Sequence, residues 1–224
     1  MNDDVHMQTK VQVSSHDGGA HTAHDQWPRS RSIEFPDRLR LPFAFDRERL
    51  AADLRRISAA PWIAHFVKQN YQGDWSAIPL RCPAGAQHPI RMIYSDPAAT
   101  AFEDTPMLAE CGYFRAVLES FACPLRAVRL MRLTPGSIIN EHTDHELSFE
   151  RGSVRIHIPI ITNAAVEFEL NRRRVILEAG SCWYLRLSDP HRVANRGDTD
   201  RVHMVIDATA NEWIEAIFAR ASAE

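Results

Sequence analysis

Cysteine is scarce in this chain. Cys82, Cys111, Cys123 and Cys182 are the four in 224 residues, far apart and with no C-x-x-C pair. That spacing excludes a small disulfide scaffold and fits reduced, mostly buried thiols. Long apolar runs are also missing. No stretch approaches the roughly 20 apolar residues of a membrane span, and the N-terminus lacks the apolar core of a signal peptide. A cytoplasmic location is the expectation. Charge of one sign is missing as well: the formal net charge is -3, so nothing points to nucleic acid. The basic run Arg172-Arg173-Arg174 reads as a solvated hairpin end. What remains is 45% apolar and 25% charged residues, an ordinary globular composition long enough for one domain with a real core.

Residues 1–32 read as a disordered N-terminal arm, polar and without apolar periodicity. Four of the 11 histidines fall there, His6, His16, His21 and His24, and a loose tail holds no ligand geometry. The rest, 33–224, reads as a single domain. Within it, 33–124 is a mixed helical and strand leader, 125–208 a β-rich core, and 209–224 a closing helix. In the leader, 39–45 is a strand candidate, and Asp46 is an N-cap for a helix carrying Leu50, Leu54 and Ile57. Residues 76–81 and 90–93 are further strand candidates. Tyr71 and Trp75 sit in an apparent loop, and Phe114, Val117, Leu118 and Phe121 mark a helix packed by one face.

From Leu125 the period changes to two. Short strands follow at 125–133, 138–140, 154–160, 166–170, 173–177, 182–187 and 202–207, broken by Gly, Pro and Asn. Asn171-Arg172 reads as a hairpin turn by its chemistry. Many short strands without long intervening helices predict an antiparallel barrel or sandwich. The expected fold is mainly β: a double-stranded β-helix, the cupin-like jelly roll, with flanking helices. Pro159 inside a strand predicts an edge or a bulge.

The chemistry-bearing residues lie in this core. His142 and Asp144 are two apart, so in a strand they share a face. His191 follows Asp189-Pro190, a turn able to hold a ligand rigidly. Two imidazoles and one carboxylate with open positions suit non-haem iron(II), and zinc uses the same ligand types. Arg201, ten residues past His191, can make a bidentate pair with a carboxylate, as a dicarboxylic 2-oxoacid would require. Two strands each present Arg-x-His on one face, Arg155 with His157 and Arg201 with His203. Unpaired cations on a dry face cost too much, so these faces need anions or solvent. Of Trp183 and Tyr184, one is expected in the core and the other on a cofactor pocket wall. Asn195 is expected either to orient His191 or to cap a turn. Arg132, Asn140, Tyr71, Trp75 and Tyr113 are candidate substrate-lining residues.

Several segments together resemble the aspartyl/asparaginyl β-hydroxylase family. They are Val128-Arg129-Leu130-Met131-Arg132-Leu133-Thr134-Pro135-Gly136, His142-Thr143-Asp144 and Arg155-Ile156-His157-Ile158-Pro159-Ile160. Gly180-Ser181-Cys182-Trp183-Tyr184, Pro190-His191-Arg192-Val193-Ala194-Asn195 and Arg201-Val202-His203-Met204-Val205-Ile206-Asp207 complete the set. Residues 60–121 loosely resemble the leader of small bacterial members. The resemblance implies an oxygenase using Fe(II), 2-oxoglutarate and O2 on a double-stranded β-helix, with succinate and CO2 as coproducts. It implies His142, Asp144 and His191 as metal ligands and Arg201 at the distal carboxylate of 2-oxoglutarate. Arg155 and His157 would lie near the metal end of the cosubstrate, with His203 and Trp183 also at its pocket. The founding animal enzyme lacks the metal carboxylate. Asp144 supplies it here, as in the bacterial proline hydroxylases. The implied substrate is an amino acid, free or as a unit of a peptide, lipid or carrier. A cupin-like metal hydrolase or isomerase, a non-enzymatic ligand-binding jelly roll and an inactive regulatory relative are the competing readings.

Overall fold

A computed structural model of the protein describes residues 35–145 and 147–223. The arm expected over 1–32 lies outside the described residues. The leader runs β1 (Arg38–Ala44), α1 (Arg47–Arg56), β2 (Ile63–Ala64), β3 (Tyr71–Gln72), β4 (Trp75–Pro83), α2 (Pro89–Ile93), β5 (Phe102–Asp104), α3 (Pro106–Ala109) and α4 (Gly112–Glu119). The core follows as β6 (Leu125–Leu133), β7 (Ile138–His142), β8 (Ser153–Ile161), β9 (Val166–Leu170), β10 (Arg173–Val175), β11 (Ser181–Leu185), β12 (His191–Asn195) and β13 (Arg201–Thr209). Helix α5 (Glu212–Ala223) closes the chain.

The strands form two antiparallel sheets. The larger has the order β1-β11-β8-β13-β6-β4-β2, with β5 beside β4, and the smaller has the order β10-β9-β12-β7-β3. From β6 to β13 the chain repeatedly crosses between them: β6, β8, β11 and β13 belong to the larger sheet, and β7, β9, β10 and β12 to the smaller. This alternation is the double-stranded β-helix expected from the sequence.

The period-two pattern divides the apolar residues between two cores. Val154, Ile156, Ile158, Ile160, Val202, Met204 and Ile206 face out of the larger sheet toward Leu50, Phe114, Val117, Ile214 and Phe218 of α1, α4 and α5. Burying these rings and branched chains against helices is the main source of stability there. The second core lies between the sheets, where Met131, Leu133, Leu185 and Val205 meet Ile139, Phe168, Leu170 and Val193. Opposite parity on the same strands therefore sends Arg155, His157, Arg201 and His203 into the space between the sheets.

The local signals mostly hold. Asp46 caps α1, accepting from the backbone N–H of Glu48 and Arg49. Asn171 and Arg172 turn between β9 and β10 with φ of 51° and 58°, the left-handed pair of a type I′ hairpin. Pro159 lies in β8, which is flanked on both sides by β11 and β13, so it is not on an edge. It sits at a register shift against β13, and the bulge is the correct one of the two expectations. The segment 90–93 is helical rather than a strand. Pro89 opens α2 and the His88 side chain accepts from Ile90 N–H, two helix-start signals that outweigh the short apolar run. Tyr71 and Trp75 are not in a loop: Tyr71 pairs with Ile139 in the smaller sheet, and Trp75 with Leu133 in the larger. No helix among the described residues is long and apolar enough to cross a membrane.

Candidate metal centre

His142 and His191 sit directly opposite one another on β7 and β12. Their ring centroids are 4.3 Å apart. A bulge puts them there. His191 and Val193, two apart on β12, pair with His142 and Ile139, three apart on β7. The extra residue in β7 inverts its parity, so both Ile139 and His142 point inward. Asp144 lies just past the strand end rather than within it. Its backbone N–H donates to Leu187 O at 2.8 Å, and its Oδ1 lies 3.7 Å from His142 Nε2. His142, Asp144 and His191 each offer one ligand atom, all within 4.8 Å of one another.

Each ring is oriented by its own chain. His142 Nδ1 is 2.8 Å from Asn140 O, and His191 Nδ1 is 3.0 Å from Asp189 O. A carbonyl only accepts, so Nδ1 carries the proton in both rings and Nε2 keeps a free lone pair. Burial pushes His191 down to about 4, which keeps it neutral near pH 7. Two imidazoles and a carboxylate with open positions fit a divalent iron ion and equally satisfy zinc.

A cavity of about 1150 Å³ opens from these residues between the sheets. Arg201 lines it and is only 3% exposed. No carboxylate among the described residues pairs with Arg201, and burial alone pulls it down to about 9. Its NH2 donates to His203 Nδ1 at 2.8 Å. Arginine has no acceptor, so His203 Nδ1 accepts and its proton is on Nε2. His157 Nδ1 lies 3.4 Å from the same nitrogen. Arg201 Nε, His203 Nε2 and His157 Nε2 are buried without a partner. Such orphaned groups are costly unless a ligand satisfies them. Burial drives both His157 and His203 far below the usual histidine range, so both are neutral.

The aspartyl/asparaginyl beta-hydroxylase family matches residues 46–211, most of the chain. The chain belongs to this family. A curated relative, L-proline cis-4-hydroxylase of Rhizobium meliloti (strain 1021), is 27% identical over 174 residues, covering 77% of this chain and 60% of the relative. The chain thus spans about 60% of that protein's length. Among solved structures, a Pseudomonas putida prolyl-4-hydroxylase matches at 13% identity and a TM-score of 0.46, covering 78% of this chain and 93% of that one. The non-haem α-ketoglutarate-dependent epimerase SnoN from nogalamycin biosynthesis matches at 11% identity and a TM-score of 0.48, covering 77% of each chain.

In this β-hydroxylase family member, the residues singled out from sequence fall into three groups. His142, Asp144, His191, Arg155, His157 and Arg201 all line the one cavity. His203 stands behind them, against Arg201 and His157. Trp183 pairs across strands with His157 but does not line the cavity, and its indole N–H donates to Ser181 Oγ at 2.9 Å. Tyr184 is the core member of that pair. Of the candidate substrate-lining residues, Trp75 reaches the cavity. Tyr113 instead holds Asp46 N–H, Arg132 stacks on Trp62, and Asn140 donates to Gln69 O. Asn195 caps its turn, accepting from Gly197 N–H and donating to Leu133 O and Thr199 O.

Arg155 is not free to meet an external carboxylate. Its Nε and NH2 grip Asp207 at 2.6 and 3.0 Å, and its NH1 donates to Asp144 Oδ2. Asp207, Arg129 and His65 escaped the sequence reading as site residues. Asp207 shares the inward parity of Arg201 and His203, which is the signal that could have found it. His65 stacks on Trp75 with centroids 3.5 Å apart, and burial pushes it down to about 3. It sits one step past β2, where its backbone N–H donates to Trp75 O at 2.8 Å, and a two-residue strand leaves no periodicity to record that.

Proposed function

We propose that this chain is an iron(II)- and 2-oxoglutarate-dependent oxygenase that hydroxylates an unactivated carbon of an amino acid or amino-acid residue. The single observation that carries the reading is Arg201: a buried guanidinium without a counter-ion among the described residues, in the same cavity as two histidines and an aspartate that can hold a metal. A ligand carrying a metal-chelating 2-oxo acid at one end and a carboxylate at the other answers both halves of that site. The curated relative's printed activity, proline hydroxylation, supports an amino-acid substrate.

In this reading His142, Asp144 and His191 would hold iron(II). Bound iron with 2-oxoglutarate and dioxygen supplies the oxidation, replacing C–H by C–OH with succinate and carbon dioxide as coproducts. The chain's own residues bind and orient. Arg201 pairs with the distal carboxylate, and His203, behind it, holds the guanidinium by accepting from its NH2. Asn140 O and Asp189 O keep the two ligand rings turned toward the metal. Trp75, Met131 and Phe168 give the cavity an apolar lining that limits water near the reacting carbon. The four free, buried cysteines agree with a cytoplasmic enzyme.

The test is direct. Iron content should be one per chain and should be lost in His142→Ala. Anaerobic titration of the iron(II) protein with 2-oxoglutarate should produce a weak visible charge-transfer band. A well-loaded protein that gives no band refutes the oxygenase reading. A screen of free amino acids and peptide extracts for a one-oxygen mass gain coupled to succinate release then identifies the substrate class.

A further inference from the structure

We infer that Asp207 is a positioning residue for the metal site: acting through Arg155, it fixes Asp144 as a ligand that offers one oxygen only. This inference rests on the metal-site reading above and adds a residue to it. Asp207 is 1% exposed and sits directly across from Arg155 on the neighbouring strands β13 and β8. It takes both Nε and NH2 of Arg155, a two-point grip that fixes the guanidinium plane. The third nitrogen of that plane, NH1, then lies on Asp144 Oδ2. Asp144 Oδ1 is left facing His142 Nε2. The carboxylate is therefore shared: one oxygen on arginine, the other toward the metal position.

Asp207 is itself over-determined. Ser95 Oγ donates to its Oδ2 at 2.5 Å, and Arg129 NH2 donates to the same oxygen. Arg129 NH1 in turn donates to Ile93 O at 3.0 Å. The aspartate thus ties three strands of the larger sheet to the segment 93–95, and the network reaches the metal-site residues at Asp144. A mobile carboxylate past a strand end could swing, or take a metal through both oxygens. The network removes both freedoms. Partners of this kind orient a ligand and tune its basicity.

The test uses the full chain and Co(II), which reports binding without oxygen chemistry. Affinity is measured by competition with a chromophoric chelator for the wild type, Asp207→Asn, Arg155→Gln and the double variant, with the circular dichroism and melting of each metal-free chain recorded alongside. Asp207→Asn should bind Co(II) roughly 10- to 100-fold more weakly, with its visible bands altered as Asp144 gains a second binding mode. The double variant should bind no more weakly than Arg155→Gln alone, because Asp207 acts through Arg155. A folded Asp207→Asn with wild-type affinity and bands overturns the inference, as do losses that multiply in the double variant. If Asp207→Asn does not fold, Arg155→Gln decides. That variant leaves Asp207 paired with Arg129 and Ser95, and wild-type Co(II) affinity in it overturns the inference. A wild-type chain that takes up no Co(II) refutes the metal site itself, a failure distinct from equal binding by wild type and variant.

Discussion

Replacing Arg201 with methionine separates ligand binding from folding, because the two should respond in opposite directions. The guanidinium is buried, meets no carboxylate among the described residues and keeps an orphaned Nε. Such a cation costs stability, and an apolar side chain of similar reach relieves it, by about 1–4 kcal/mol on the precedent of buried charges replaced by apolar groups. At about 2–4 °C per kcal/mol for a chain of this size, Arg201→Met should melt several degrees above wild type. The 2-oxoglutarate response should reverse this order. Losing one partner of a buried charge pair costs about 2–5 kcal/mol, which is about 30- to 5,000-fold in affinity. Ligand at about 100 times its Kd adds about 2.7 kcal/mol to the wild type, and the variant at the same concentration should gain less than about 1 kcal/mol. The assay is thermal melting of Mn(II)-loaded protein with and without 2-oxoglutarate. The pH dependence has a definite sign. Burial lowers the folded-state pKa of Arg201 to about 9 from 12.5. Below about 9 both folded and unfolded states hold the proton, so the burial cost is fully present. Between about 9 and 12.5 the unfolded state binds more protons, so wild-type stability rises with pH relative to the variant. A variant that melts below wild type, yet is stabilised equally by 2-oxoglutarate, refutes the assignment.

Two cheaper predictions concern the scaffold. Burial pushes the Cys111 and Cys123 thiols up to about 12 and Cys182 higher still, so a thiol-specific reagent at pH 8 should label no native cysteine quickly and all four after unfolding; rapid native labelling would show that the helices covering the larger sheet open readily. Arg172→Gly should raise stability by about 0.5–1 kcal/mol in a denaturant melt, because the φ of 58° at that turn position suits glycine better than a side-chain residue; a loss would mean that the Arg172 stem packs usefully.

Much of the core was legible because its physics is local. Alternation in 154–160 and 202–207 revealed which side chains turn inward, and hence the Arg-x-His pairs. His142 was readable only as a residue type. Its inward aim depends on a bulge between Ile139 and His142, and strict alternation from Ile139 would have turned Glu141 inward instead. Arg155 illustrates a different limit. Its face was correct and its NH1 reaches Asp144, but its main partner, Asp207, meets it through strand pairing across more than fifty residues and could not be named. Extending the parity of Arg201 and His203 by two more steps reaches Asp207, so the anion demanded by these cations was present in the sequence. The helix at Pro89–Ile93 shows capping outweighing a four-residue apolar run. His65 and Trp75 come together because the β2–β4 register runs on to them, a pairing that a two-residue strand gives no pattern to reveal.

The two sheets contribute different halves of the site. The histidines come from β7 and β12 of the smaller sheet, and Arg201 from β13 of the larger. Packed sheets stand roughly 10 Å apart, a separation set by the apolar side chains between them and not by any ligand. The gap therefore acts as a gauge. A diacid that chelates a metal on one wall and reaches the guanidinium on the other must have the matching chain length, and one carbon fewer would leave Arg201 short of its partner. Residues set back from the cavity, such as Leu133, Leu170 and Leu185, would then set the length of cosubstrate the protein accepts.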